Sequence, residues 1–236
     1  MEITKIGILA FIFGTLSNQV GGFFGFLGKS NNKSIYKTVG FTAGITTAII
    51  CFELLTQSFS LASKYHAIIF TILGVLFVKI LDFIINIINK TSMSSDSLVI
   101  VSAMSSHNIT EGIAIGSAFS ISFSLGMSLI FAIMIHNIPE GMIIGSMLKK
   151  EKKQFSLVLY NCLIIGIFLG IGAIIGGILG NINNSYIMVN LALSAGAMLY
   201  MLACDLIPSM YNEYDNKNVG VIYILGFLIG CLICKL

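Results

Sequence analysis

The chain has 236 residues, of which 56% are hydrophobic and only 10% charged, and its mean hydropathy is +0.97. Soluble domains carry about 25% charged residues, and a core of this size cannot hide so much apolar surface from water. A soluble enzyme, a disordered chain and a nucleic-acid-binding module are therefore excluded. The net charge of +3 rests on 13 basic residues, all lysine, so no guanidinium fork is present for phosphate recognition.

What remains is an all-α polytopic membrane protein. A bilayer core about 30 Å thick needs roughly 20 apolar residues per helix. Lipid offers the backbone no hydrogen-bond partner, so each span is expected to be helical. Eight runs fit, at about 4–28, 36–59, 66–89, 97–119, 124–148, 155–179, 186–208 and 219–236. The first has no small-residue cleavage pattern at a suitable distance and reads as a retained helix. Lysines sort the loops into two sets. One side holds Lys5, Lys64 and Lys235; the other holds Lys29, Lys33, Lys37, Lys90, Lys149, Lys150, Lys152, Lys153 and Lys217. Positive charge collects in the cytoplasm, which predicts both termini outside and the run 149–153 as a topology anchor.

Ionisable groups inside spans are costly, so each is a functional candidate. In chain order, the second span carries Glu53 beside Cys51. The third carries Lys79 and Asp82, spaced to pair on one helix face. His66 falls at an outer helix start and reads as interfacial. The seventh span carries Asp205 beside Cys204. The eighth carries Cys231 and Cys234, a lone CxxC without the second pair of a zinc site.

The sharpest feature is an internal repeat. The fourth span reads HNITEGIAIGS from His107 to Ser117, and the fifth reads HNIPEGMIIGS from His136 to Ser146. On a helix, i and i+4 differ by about 40° in azimuth and about 6 Å in rise. His107 and Glu111 therefore share a face, as do His136 and Glu140, with Asn108 and Asn137 one step around. Consecutive spans run antiparallel, so the two sets can meet at mid-membrane. Two imidazoles and two carboxylates suit a divalent cation such as Zn²⁺ or Fe²⁺. A polar zipper alone is the weaker reading, because two facing carboxylates without a cation repel or must take up a proton. Gly112 with Gly116, and Gly141 with Gly145, form small-xxx-small ridges for close helix packing. Pro139 removes an amide donor and is expected to bend the fifth span, freeing the Ile135 carbonyl. The glycines of the sixth span suit either a sliding surface or simple tight packing.

At these residues the chain resembles the ZIP family of divalent-metal transporters, the zinc- and iron-regulated-transporter-like proteins. GFTAGITTAIICFELL (Gly40 to Leu55) is similar to that family's second span, and SAGAMLYMLACDLIP (Ser194 to Pro208) to its seventh. The resemblance implies one transporter domain over 1–236, with eight spans. It implies a metal site at mid-membrane lined by His107, Asn108, Glu111, His136, Asn137 and Glu140, with Glu53 and Asp205 on the route. In FLGIGAIIGG this chain offers Leu169 where many relatives have a glutamate of a second metal position. It has LLTQS, with Thr56 and Gln57, where relatives have an ending like LLPEA. One principal ion is thus expected, with an auxiliary position around Asn108, Asn137 and the two glutamates. The loop 90–96 has no His-rich stretch, as in a minimal prokaryotic member.

The expected substrate is Zn²⁺, with Fe²⁺, Mn²⁺, Co²⁺ and Cd²⁺ as alternatives, moved inward by alternating access. A dication crossing an inside-negative membrane gains about 4.6 kcal/mol per 100 mV, twice the single-charge value. The expected setting is a bacterial inner membrane. The expected partners are the metal ion and the bilayer, with a homodimer left open and nucleic acid excluded. No catalytic cofactor is expected; the rival reading is an intramembrane metal-dependent hydrolase.

Overall fold

The structure, a computed structural model, describes residues 2–28, 32–91, 96–210 and 216–234. Lys29, Lys235 and most of the loop 90–96 lie outside the described residues, as do the side chains of Lys33, Lys90 and Lys217. The described residues form eight helical rods and no strand. The first is α1 (Ile3–Leu27). The second joins α2 (Asn32–Ala48), a π-helical segment Ile49–Leu55 and α3 (Thr56–Leu61). Then follow α4 (Lys64–Thr91), α5 (Asp96–Ile121), α6 (Phe123–Lys150) and α7 (Phe155–Gly180). The seventh rod joins α8 (Asn184–Met201), a second π-helical segment Leu202–Leu206 and α9 (Ile207–Met210); the eighth is α10 (Asn216–Ile233).

Six rods are long and apolar enough to cross a membrane: Ile3–Leu27, Tyr36–Leu61, Lys64–Ile84, Phe123–Lys150, Phe155–Gly180 and Asn184–Met210. The other two are α5, whose middle holds the polar run Ser105 to Glu111, and the shorter α10.

Side chains are sorted as lipid demands. On α1 the inward face is Ile6 followed by Gly7, Ala10, Gly14, Thr15, Ser17, Asn18, Gly21, Gly22 and Gly25. Its outward face carries Ile8, Ile12, Leu16, Val20, Phe23 and Phe24. Bulk faces the hydrocarbon and small or polar residues face the bundle, because apolar side chains gain nothing by leaving lipid for protein. Short turns are closed by local chemistry. Ser122 caps α6 by accepting from the Leu125 amide at 3.1 Å. Asn183 caps α8 by accepting from the Ser185 and Tyr186 amides. The α6–α7 turn is a Schellman closure in which Lys153 N–H reaches the Leu148 carbonyl and Lys152 N–H the Lys149 carbonyl. Lys152 takes the left-handed φ of 56° that this closure requires. Lys149 then donates to the Gly28 carbonyl at 2.7 Å, tying the end of α6 to the end of α1.

The rods repeat. Among the described residues, the first helical positions of α1, α2 and α4 are 3, 32 and 64, and those of α7, α8 and α10 are 155, 184 and 216. Each member of the second set starts 152 residues after its partner in the first. The packing repeats with them. Gly44 lies against the backbone of Tyr223 and Phe227, and Gly226 against Phe41. At the positions 152 residues apart, Gly196 lies against Thr71 and Val75, and Gly74 against Leu193. The central pair follows the same operation: α6 packs on α1 through Gly141 and Gly145, and α5 packs on α7 through Gly112 and Gly116. Partner rods are five apart in an alternating chain, so the repeat is inverted in the bilayer, an arrangement associated with transport by rocking of one half against the other.

Both π segments sit at symmetry-related positions, and each carries an acid, Glu53 or Asp205. These are the irregular points of the second and seventh rods. By contrast α6 runs as one α-helix through Pro139.

The glycine ridges of α5 and α6 do not meet each other. Each glycine that follows a motif glutamate is rotated about 100° from it, so the ridges turn toward α7 and α1 while the motif faces turn toward one another. A Cβ at Gly141 would run into the Asn18 backbone, whereas Gly220 has nothing within 4 Å. Gly141→Ala is expected to destabilise the purified protein by about 1–3 kcal/mol, as overpacking does, and Gly220→Ala to change it by less than about 0.5 kcal/mol; thermal melting in detergent reads both.

Candidate functional site

The motif faces of α5 and α6 bring Glu111, His136 and Glu140 together, with one ligand atom of each within 4.8 Å of the others. All three are buried: Glu111 and His136 are 0% exposed and Glu140 is 4%. His136 Nε2 stands 3.3 Å from Glu111 Oε1 across the helix pair and 3.3 Å from Glu140 Oε1 on its own helix. The second contact is the i, i+4 pairing of the motif.

His136 is held from behind. Its Nδ1 lies 2.7 Å from Thr46 Oγ1 on α2, and Thr46 Oγ1 lies 2.9 Å from the Thr42 carbonyl one turn back. The sequence reading missed Thr46. The cue was present as two hydroxyls, Thr42 and Thr46, four residues apart in the second span.

Several polar atoms of the motifs are buried without a hydrogen-bond partner. They are both carboxylate oxygens of Glu111, His136 Nε2, Glu140 Oε2, Asn137 Oδ1 and His107 Nδ1. Such atoms are rare in folded proteins and each asks for a partner. No lysine among the described residues comes within 4 Å of either glutamate.

The other sequence candidates fall in different places. Asn137 Nδ2 donates to Asn108 Oδ1 at 3.5 Å, and Asn108 Nδ2 donates to the Met104 carbonyl at 3.0 Å. The two amides therefore meet beside the trio. His107 is 8% exposed and lies outside the trio. Glu53 is buried in its π segment, with Ser128 Oγ donating toward its Oε1 at 2.9 Å. Asp205 is exposed. Neither Glu53 nor Asp205 belongs to the trio.

Three smaller expectations also meet the structure. Leu169 is buried in an apolar part of the core near Gly14, Ile115, Ile130 and Ile133. Lys79 and Asp82 form no ion pair, and Lys79 is exposed on α4. His66 is exposed, as an interfacial residue would be.

A network of hydroxyls and amides fixes the helices behind the site. Ser194 Oγ donates to the Thr110 carbonyl at 2.6 Å, and Asn190 Nδ2 to Ser117 Oγ at 2.9 Å, locking α8 against α5. The carboxylate face of α5 is thus set by its neighbours as well as by α6.

Comparison with known proteins covers this region. A family model described as ZIP Zinc transporter matches residues 86–236. The human zinc transporter ZIP10 is 27% identical over 151 residues, which is 61% of this chain and 18% of that protein. The zinc transporter GufA of Myxococcus xanthus is 30% identical over 140 residues, 59% of this chain and 55% of that protein. The zinc transporter foi of Drosophila melanogaster is 27% identical over 139 residues, 59% of this chain and 20% of that protein. The aligned stretches thus span between 18% and 55% of these relatives' lengths. The family match takes in both histidine motifs, and with it the multi-pass helical chain belongs to the ZIP zinc transporter family.

Proposed function

We propose that the protein carries a divalent transition-metal ion, Zn²⁺ first among them, across the membrane through Glu111, His136 and Glu140. The observation that supports this best is the convergence of one imidazole nitrogen and two carboxylate oxygens at 3.3 Å, away from water and from any described lysine. Two carboxylates and a neutral imidazole match a doubly charged ion in charge and in ligand type. Three protein ligands leave a position open, as a site that must release its ion requires. The unpartnered Asn137 Oδ1 and His107 Nδ1 are the groups proposed to complete the shell, or to take the ion as it moves. Asn108, whose oxygen already accepts from Asn137, orients that amide.

Glu53 and Asp205 are proposed as stations on the two sides of the route, because the inverted repeat places them at equivalent points in opposite halves. The lysine count supports both termini outside and inward transport, driven by the membrane potential. The full length acts as one transporter unit in a bacterial inner membrane. The trio is supplied by one chain, so a second copy is not needed to assemble it. A hydrolase would need a carboxylate spared to act as base, and both glutamates here face the same nitrogen. The relatives' names are those of zinc transporters.

Purified protein in liposomes is expected to take up Zn²⁺. His136→Ala and Glu111→Gln are each expected to lower the rate by about tenfold or more, since loss of even an outer partner of a metal ligand costs about 10–100-fold. Uptake at the parent rate by both variants contradicts the assignment. Orientation has its own check. A cysteine placed at Lys152, in a variant without the native cysteines, is expected to react with an impermeant maleimide only after the cytoplasmic face is opened; labelling of intact cells contradicts the topology.

A further inference from the structure

We infer that Thr46 is a positioning residue: its hydroxyl, anchored on the Thr42 carbonyl, fixes the tautomer and ring orientation of His136 and so aims the Nε2 lone pair at the metal. The inference rests on the reading of Glu111, His136 and Glu140 as ligands. It concerns α2, which contributes nothing to the trio itself.

The donor and acceptor roles around His136 follow from which ring nitrogen holds the metal. A threonine hydroxyl has one hydrogen. With a metal on Nε2 the ring hydrogen sits on Nδ1, which then donates to Thr46 Oγ1 at 2.7 Å. Oγ1 is free to accept because its own hydrogen goes to the Thr42 carbonyl, 2.9 Å away. A neutral imidazole protonated at Nδ1 has its lone pair on Nε2. That atom faces Glu111 Oε1 and Glu140 Oε1. Thr46 and His136 are both 0% exposed, so water does not compete for either bond. Metal-bound histidines commonly donate their second ring N–H to such a fixed acceptor, which sets the tautomer and holds the ring plane.

The inverted repeat shows that the device exists on one side only. The position 152 residues after Thr46 is Met198, which has no hydroxyl. The corresponding motif histidine, His107, has an Nδ1 without a hydrogen-bond partner among the described residues. One histidine of the duplicated pair is therefore clamped and the other is not. This assigns different duties to two residues that the motif writes identically: His136 is the fixed ligand, and His107 is free to turn.

The test is Zn²⁺ affinity of the full chain in detergent, by titration calorimetry, for Thr46→Val, Thr46→Ser, His136→Ala and the double variant Thr46→Val with His136→Ala. Size-exclusion profile and melting of the metal-free proteins control for folding, and Thr46→Ala replaces Thr46→Val if valine gives no folded protein. Thr46→Val is expected to bind Zn²⁺ about 10–100-fold more weakly, Thr46→Ser to restore the parent affinity, and Thr46→Val to add nothing in the His136→Ala background. Parent affinity in Thr46→Val, with His136→Ala weakened, overturns the inference and leaves the ligand assignment standing. An equal loss from Thr46→Val with and without His136 overturns it as well, because the threonine then acts through packing. Parent affinity in His136→Ala overturns the ligand assignment itself.

Discussion

An imidazole nitrogen and two carboxylates meeting in a water-poor helix bundle set the terms for everything around them. Each acidic group at mid-membrane costs about 2.5–3.5 kcal/mol on insertion scales, and two of them beside one lone pair leave a local excess of negative charge. Among the described residues, the surrounding helices supply fixed dipoles, hydroxyls and amides but no lysine within 4 Å of the trio's carboxylates. On the proposed function, a dication would balance the two carboxylates, and the imidazole would add a ligand without adding charge. The same local imbalance that disfavours the bare trio would then favour an arriving ion shedding its water.

The scaffold holds this arrangement by backbone approach. Glycines on α5 and α6 press against α7 and α1, and glycines on α2, α4, α8 and α10 lock the flanking pairs. In lipid there is no water-driven collapse to press large side chains together, so close backbone contact takes over. The inverted repeat gives two equivalent halves around the trio, while Thr46 and Met198 show that the halves are not equal in chemistry. Geometric symmetry suits a machine that opens to either side. Chemical asymmetry suits a site that keeps one ligand still while another moves.

Much of this is legible in the residues. The eight rods fall within a few residues of the hydropathy runs, because each run is long and its ends are marked by lysine, asparagine or serine. The motif faces are legible because i, i+4 spacing and the cost of burying a carboxylate leave few alternatives. The exclusion of His107 from the trio is not, because spacing along one helix does not tell how the side chains of two helices are set against each other. Thr46 is hidden for a different reason: a threonine in an apolar helix satisfies itself on the carbonyl four residues back, so its presence needs no partner. The π segments at Glu53 and Asp205 follow from hydrogen-bond register, which composition does not encode. The repeat at 152 residues survives mainly in helix starts and crossing glycines, where sterics act, and little in the side chains that face lipid.

Zinc-edge X-ray absorption of the loaded protein bears most directly on the site. One imidazole and two carboxylates bound together give a first shell of nitrogen and oxygen at about 2.0–2.2 Å, with outer imidazole scattering that weakens in His136→Ala. A sulfur shell near about 2.3 Å, or a first shell that His136→Ala leaves unchanged, places the ion elsewhere in the molecule.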